Sequence, residues 1–185
     1  LNGDFEELGD DLAINGTFDT SIAIGSAGSG WSLSSGTAEY FDGGIKVFDE
    51  AANDARLRLR TQGHSQAVVE PNETYKIQYE IKDFQGDISF AALAFYISGT
   101  SHSIAVSKKQ IGTHTVYLQA GSSGNGILQF QISNSMNGFV VFDNISVQKV
   151  DPNDRWSLDT GWSIEDGVAS CDGTSGASIY QNISG

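Results

Sequence analysis

Arg56, Arg58 and Arg60 alternate with Leu57 and Leu59, so a strand through them turns three guanidiniums to one side and its leucines to the other. A guanidinium is a planar donor fork that meets acidic or hydroxyl-rich groups. Gln129 and Gln131 repeat the pattern between Leu128, Phe130 and Ile132, and Gln78 sits between Ile77 and Tyr79. Their amides both donate and accept hydrogen bonds. Tyr40 and Tyr96 add ring faces for stacking and a polar tip. A bland reading competes for each residue. Tyr96 lies in the run Ser89 to Ser98, apolar on both faces, which reads as a central strand covered on both sides. Outward arginines on a chain of net charge −13 can simply balance nearby carboxylates.

Catalytic constellations are poor. His64, His102 and His114 show no HExxH-like spacing. There is no Gly-x-Ser-x-Gly elbow, and the loop Gly121 to Gly126 lacks the lysine of a phosphate-cradling motif and reads as a hairpin. Among 23 acids some pair at glycosidase separation is inevitable, so the acid count carries no weight. Cys171 is the only cysteine, which excludes an internal disulfide and a cysteine-based zinc site. The expectation is a protein that is not an enzyme.

The elements that hold these residues read as strands. Gly is frequent (22 residues), Pro rare (2) and aromatics reach 10%, with short alternating runs between Gly, Ser, Asn and Asp turns. Tyr75, Ile77, Tyr79 and Ile81 alternate with polar residues and form the cleanest half-buried strand. Phe139, Val141, Ile145 and Val147 share one parity with Asp143, which places Phe142 on the other face. Eight or more short strands predict an all-β sandwich, a jelly roll. The charge of −13 argues against nucleic acid and against an anionic membrane surface. No apolar run approaches the roughly 20 residues of a spanning helix, so no membrane insertion is expected.

An internal offset suggests how the chain is divided. Gly30-Trp31-Ser32-Leu33 is matched by Gly161-Trp162-Ser163-Ile164, 131 residues on, and Ala38 by Ala169. This predicts a complete module over 12–150, a linker with the first strands of a second module over 151–185, and the end of a preceding unit or a linker over 1–11. Trp31 and Trp162, recurring after Gly, read as core wedges. The opening without Met and the short second unit suggest a segment of a longer tandem array.

Ile14-Asn15-Gly16-Thr17-Phe18-Asp19, then Gly30-Trp31, then Phe142-Asp143-Asn144-Ile145-Ser146-Val147, resembles the carbohydrate-binding modules of the family 4/9/22 type. Those are galactose-binding-like jelly rolls, and residues 156–185 look like the tandem modules of bacteriophage tail-fibre and other virion proteins. The resemblance implies a structural calcium ion between Asp19 and Asp143, although Asp19 stands where the family pattern has Glu. It also implies glycan contacts, for which Tyr40, Arg56, Arg58, Arg60, Gln78, Tyr96, Gln129 and Gln131 are the candidates. The reading that follows is a non-enzymatic module of a repetitive virion or extracellular fibre protein. It would serve as a spacer with glycan adhesion, with host-surface glycans, other virion proteins and further copies in a homo-oligomer as partners. The alternatives are a binding module attached to a secreted polysaccharide-degrading enzyme, and a ligand-free capsid-decoration domain.

Overall fold

The computed structural model describes residues 8–26, 28–48, 54–60, 68–86, 93–122, 124–133, 136–150, 156–165 and 168–181. Its strands, in chain order, are β1 (Leu8–Asp11), β2 (Trp31–Ser35), β3 (Thr37–Phe41), β4 (Gly44–Phe48), β5 (Ala55–Leu59), β6 (Thr74–Gln85), β7 (Leu93–Ile97), β8 (Thr100–Ser103), β9 (Gly112–Gln119), β10 (Leu128–Ile132), β11 (Phe139–Val150), β12 (Trp156–Leu158), β13 (Trp162–Glu165), β14 (Val168–Cys171) and β15 (Ile179–Gln181). One turn of 3-10 helix, Val106–Lys108, interrupts them. Among the described residues no helix is long and apolar enough to cross a membrane.

Two antiparallel sheets form an all-β sandwich. The six-stranded sheet runs β3-β4-β11-β6-β9, with β1 also on β11, and the five-stranded sheet runs β2-β5-β10-β7-β8. Long β11 serves two partners along one edge: β4 along Phe139 to Phe142, and β1 at Gln148 and Val150. Asp11 ties the junction, its carboxylate accepting the Val147 N–H at 2.9 Å. Leu8–Asp11 is thereby hydrogen-bonded into the six-stranded sheet. The strand Leu93–Ile97 is internal to the five-stranded sheet, between β10 and β8, with its outward residues Ala94 and Tyr96 half-buried; 89–92 lie outside the described residues.

Period-two alternation fills the core. Tyr75, Ile77, Tyr79 and Ile81 from β6 face Leu57 and Leu59 from β5, Phe95 from β7 and Phe130 from β10, all essentially unexposed. Phe130 sits edge-on to Phe95 with centroids 4.6 Å apart, and to Phe142 at 5.4 Å. Strand β11 departs from simple alternation. Val140 and Phe142 point inward, yet so do Ile145 and Val147, of the opposite parity. Two register shifts against β6 account for this. Lys82 is an extra residue on β6, and Asn144, at φ 47°, is one on β11. The second bulge flips the side-chain parity, which is why Phe142 is core rather than outward.

Burial raises the hydroxyl pKa of both Tyr79 and Tyr75. The Tyr79 hydroxyl donates to Lys108 O at 2.6 Å, and the Glu70 N–H donates to the Tyr75 hydroxyl at 2.7 Å. Lys149 is also shifted upward, chiefly by its hydrogen bond to Glu70, 2.8 Å away. A group raised in the fold contributes stability that is complete below its unfolded pKa, about 10 for these residues, and lost as pH rises through the folded value. Stability is thus expected to fall above about pH 10, with two tyrosines ionising only as the sandwich unfolds. Absorbance at 295 nm and circular dichroism should show coincident transitions; full tyrosine ionisation before unfolding would contradict this.

Residues 156–181 form two short antiparallel ladders, β12 with β15 and β13 with β14. Trp162 opens β13 as Trp31 opens β2. However, β13 pairs directly with β14, whereas β2 and β3, their counterparts at the 131-residue offset, lie in different sheets.

Candidate functional site

The five-stranded sheet turns Ala55, Leu57 and Leu59 of β5 inward, so Arg56 and Arg58 face out. Strand register then sets what lies beside them. Arg58 is opposite Ser32 on one side and Gln129 on the other; Gln129 is opposite Tyr96, and Tyr96 opposite Ser101. The next row reads Ser35, Arg56, Gln131, Ala94, Ser103. Four inter-strand steps make each row roughly 19 Å long. Local sequence makes this possible because two strands, β5 and β10, each alternate between apolar and long polar side chains.

The polar side chains are connected. Arg58 Nε donates to Gln129 Oε1 at 3.1 Å, Gln129 Nε2 to Gln131 Oε1 at 3.2 Å, and Gln131 Nε2 to Asp54 Oδ2 at 2.7 Å. Arg56 Nη2 lies 3.7 Å from the same carboxylate oxygen. Arginine only donates and an ionised carboxylate only accepts, so the two ends fix the orientation of both amides between them. Gln129, only 4% exposed, is held at the centre of the face. Two buried polar atoms on this face, Ser32 Oγ and Arg56 Nε, have no hydrogen-bond partner. A buried unsatisfied group costs about 1–3 kcal/mol, so each favours an incoming donor or acceptor.

Ser32 also borders a groove of about 720 Å³ at the β2 edge, lined by Gly25, Leu33, Ala38, Tyr40 and Arg60 among others. Arg60 Nη1 donates to Gly25 O at 3.1 Å. The Tyr40 hydroxyl donates to Ile22 O at 2.7 Å and accepts from Asn15 Nδ2 at 3.3 Å. The face and the groove thus bring together Tyr40, Arg56, Arg58, Arg60, Tyr96, Gln129 and Gln131. Tyr96 is half-buried and outward, not core, because its neighbours Phe95 and Ile97 take the inward parity. Gln78 is separated from the rest. It lies on the outer face of the other sheet and donates to Thr115 Oγ1 at 3.4 Å. Asp54, Ser32 and Ser101 escape a sequence reading. Asp54 immediately precedes an alternating strand, but its partner Gln131 is 77 residues away.

The two carboxylates expected to share a calcium ion sit in different surroundings. Asp143 is buried beside an ammonium, with Lys82 Nζ 3.4 Å from its Oδ2, and its other oxygen accepts the Asn144 N–H at 2.7 Å. Asp19 is exposed. Calcium takes six to eight oxygens, and among the described residues no group of three or more His, Cys, Asp or Glu could hold a metal.

No family model and no curated protein matches the sequence. Among solved structures the chain is similar to the CBM22-1 xylan-binding domain from Paenibacillus barcinonensis Xyn10C, with a TM-score of 0.44 and 16% identity over 77% of this chain and 96% of that one. It is similar to a family 16 carbohydrate-binding module, with a TM-score of 0.43 and 12% identity over 74% of this chain and 98% of that one. It is also similar to the enzymatically active domain of bacteriophage CBA120 tailspike protein 4, with a TM-score of 0.45 and 14% identity, over 75% of this chain and 21% of that one.

Proposed function

We propose that this chain is a non-catalytic glycan-binding module whose ligand lies along the outward face of the five-stranded sheet. The observation that carries the reading is the row Ser32, Arg58, Gln129, Tyr96, Ser101, together with the two unpartnered polar atoms on the same face. An extended chain of sugar rings suits it. Tyr96 offers a ring for C–H stacking, the fixed amides of Gln129 and Gln131 meet hydroxyls, and Ser32 Oγ can pair on binding. The groove beyond Ser32, with Arg60 and Tyr40, continues the path at one end. Rigidly held side chains lose little freedom when a ligand binds, which favours recognition without closure of the protein around it.

The same face serves two settings: a spacer with adhesive function in a repetitive virion-surface or extracellular fibre, and a targeting module beside a polysaccharide-degrading activity. The Trp31/Trp162 offset favours the fibre. Affinity electrophoresis of the chain through gels containing soluble polysaccharides tests the common core of both. At least one polysaccharide is expected to retard the chain, and Tyr96→Ala, with unchanged near-ultraviolet circular dichroism, to weaken that retardation about tenfold. Absence of retardation by any polysaccharide would leave a ligand-free spacer or decoration domain instead.

A further inference from the structure

We infer that the free edge of β3 takes an extended peptide by strand addition, one that alternates apolar side chains with Lys or Arg. The site is the groove of about 720 Å³ that β2 and β3 line together. It is independent of the glycan reading, since Arg58, Gln129, Tyr96 and Ser101 do not line that groove. β3 is the last strand of the six-stranded sheet, and no main-chain hydrogen bond reaches its outer edge from any described residue. The two-residue turn Asp42-Gly43 has both residues at positive φ, so it is type I′ and closes on a hydrogen-bonded pair, Phe41 with Gly44. Hydrogen-bonded and non-hydrogen-bonded pairs alternate along the ladder, so Ala38 and Tyr40 turn their N–H and C=O groups to the free edge. Natural sheets blunt such edges with bulges, shortness or cover. Here β1 and β2 carry register shifts, and β8 is four polar residues. On the opposite side of the sandwich His102 Nε2 donates to Gln119 O at 3.0 Å and ties β8 to β9. β3 instead keeps five unbroken pairs with β4 and borders an open groove.

Groove and rim set what the added strand must carry. The side chains of Ala38 and Tyr40 pack toward the core and, with Ile24 and Leu33, give the groove apolar walls. Every second residue of the added strand enters among them. Its other residues stand on the outer face beside Thr37, Glu39 and Phe41, all exposed. Glu39 has no ion pair or hydrogen bond among the described residues. Lys46 is its cross-strand partner, but that ammonium is taken up by aromatic rings instead. Its Nζ lies 3.9 Å from the centroid of Phe139, 4.7 Å from that of Phe41 and 4.9 Å from that of Phe48. A cation directly opposite Glu39 on the added strand supplies the pairing that Lys46 does not. A second copy of this chain is a poor occupant. The register that pairs all five residues of one β3 with those of another sets Glu39 against Glu39. The net charge of −13 opposes self-association too, and it favours a basic partner.

The test passes a pool of synthetic peptides of about nine residues over the whole chain, immobilised; even positions are Val, Ile or Ala and odd positions any residue except Pro. Lys and Arg are expected to be enriched severalfold at odd positions of the retained peptides, and Asp and Glu depleted. In fluorescence anisotropy the best of them should bind about tenfold more tightly than the same sequences with Glu in place of Lys and Arg. With such a peptide bound, the amides of Ala38 and Tyr40 should exchange their hydrogens about tenfold more slowly by nuclear magnetic resonance, and those of β9 at an unchanged rate. Glu39→Lys, an exposed change with unaltered circular dichroism, should reverse the preference in favour of the Glu peptides. Bulk attraction to an acidic chain cannot imitate that reversal, because the variant is still strongly negative. Retention of no peptide, retention without preference for Lys or Arg, an unreversed preference in Glu39→Lys, or binding that leaves Ala38 and Tyr40 unprotected each overturns the inference. Dimerisation of the peptide-free chain in sedimentation, with those two amides protected, also overturns it and gives the edge to a second copy.

Discussion

Replacing Gly16 by Ala is expected to lower the melting temperature by roughly 6–12 °C, corresponding to about 3 kcal/mol. A Cβ built on Gly16 falls 1.9 Å from the carbonyl oxygen of Ile145 and 3.0 Å from its carbon. The neighbour is backbone, so it cannot rotate away. Nor can the turn drift outward cheaply, because Gly16 O accepts the Ile145 N–H at 2.9 Å. Ile145 directly follows the left-handed Asn144 of the β11 bulge, which fixes the approach from the other side. Overpacking of this kind costs about 1–3 kcal/mol and loss of the hydrogen bond about 1 more. Thr17→Ala, an exposed change in the same turn, should shift the melting temperature little. Circular dichroism melts of the two variants decide the matter, and equal transitions would mean that the turn does not hold Ile145 this closely.

That prediction also reinterprets the motif on which the family resemblance rests. Asn15 O accepts the Trp31 Nε1–H at 3.3 Å, Phe18 packs on Trp31 at 5.5 Å and on Tyr40 at 6.3 Å, and Gly16 abuts the strand that contains Phe142 to Val147. The motif is a clasp that joins the start of the sandwich to its last strand. In this chain its residues serve packing, and the proposed ligand face lies elsewhere, on β5 and β10.

How far the fold was legible depends on whether alternation was uninterrupted. Strands β5, β6 and β10 alternate cleanly over the residues that matter, and their inward and outward faces follow from sequence alone. On β11 alternation fails because a bulge changes parity in mid-strand. No residue type in Phe142-Asp143-Asn144-Ile145 announces that, apart from an asparagine, which tolerates positive φ. Most of the candidate site was legible as residue types, since outward Arg and Gln are what remain when the leucines turn in. What was hidden is long-range register. Nothing local tells that Arg58 and Gln129 are neighbours while Gln78, equally polar on an equally good strand, belongs to the other sheet. Asp54 was hidden for the same reason, as was the ion pair of Lys82 with Asp143.

The largest single loss is expected for Trp31→Ala, about 3–5 kcal/mol of stability. Trp31 is fully buried, tilted against Phe18 and edge-on to Phe130 with centroids 6.0 Å apart. Removing it leaves a cavity that backbone-paired strands on either side cannot collapse to fill. Trp31→Phe keeps much of the contact and gives up chiefly the Nε1–H bond to Asn15, so it should cost only about 1–2 kcal/mol. Trp162→Ala should barely move the main transition, because Trp162 is half-buried and its strand pairs, among the described residues, only with the short β14. The effect reaches the candidate site as well. Trp31 directly precedes Ser32, and Phe130, which it supports, separates Gln129 from Gln131 on β10. Loosening that core contact lets β2 and β10 shift against β5, so the row of donors loses its spacing even where the chain remains folded. Polysaccharide affinity of Trp31→Ala, measured at a temperature where circular dichroism shows it folded, is therefore expected to fall severalfold. Unchanged affinity would mean that the polar row is held by its own hydrogen bonds from Arg58 to Asp54 and not by the core beneath it.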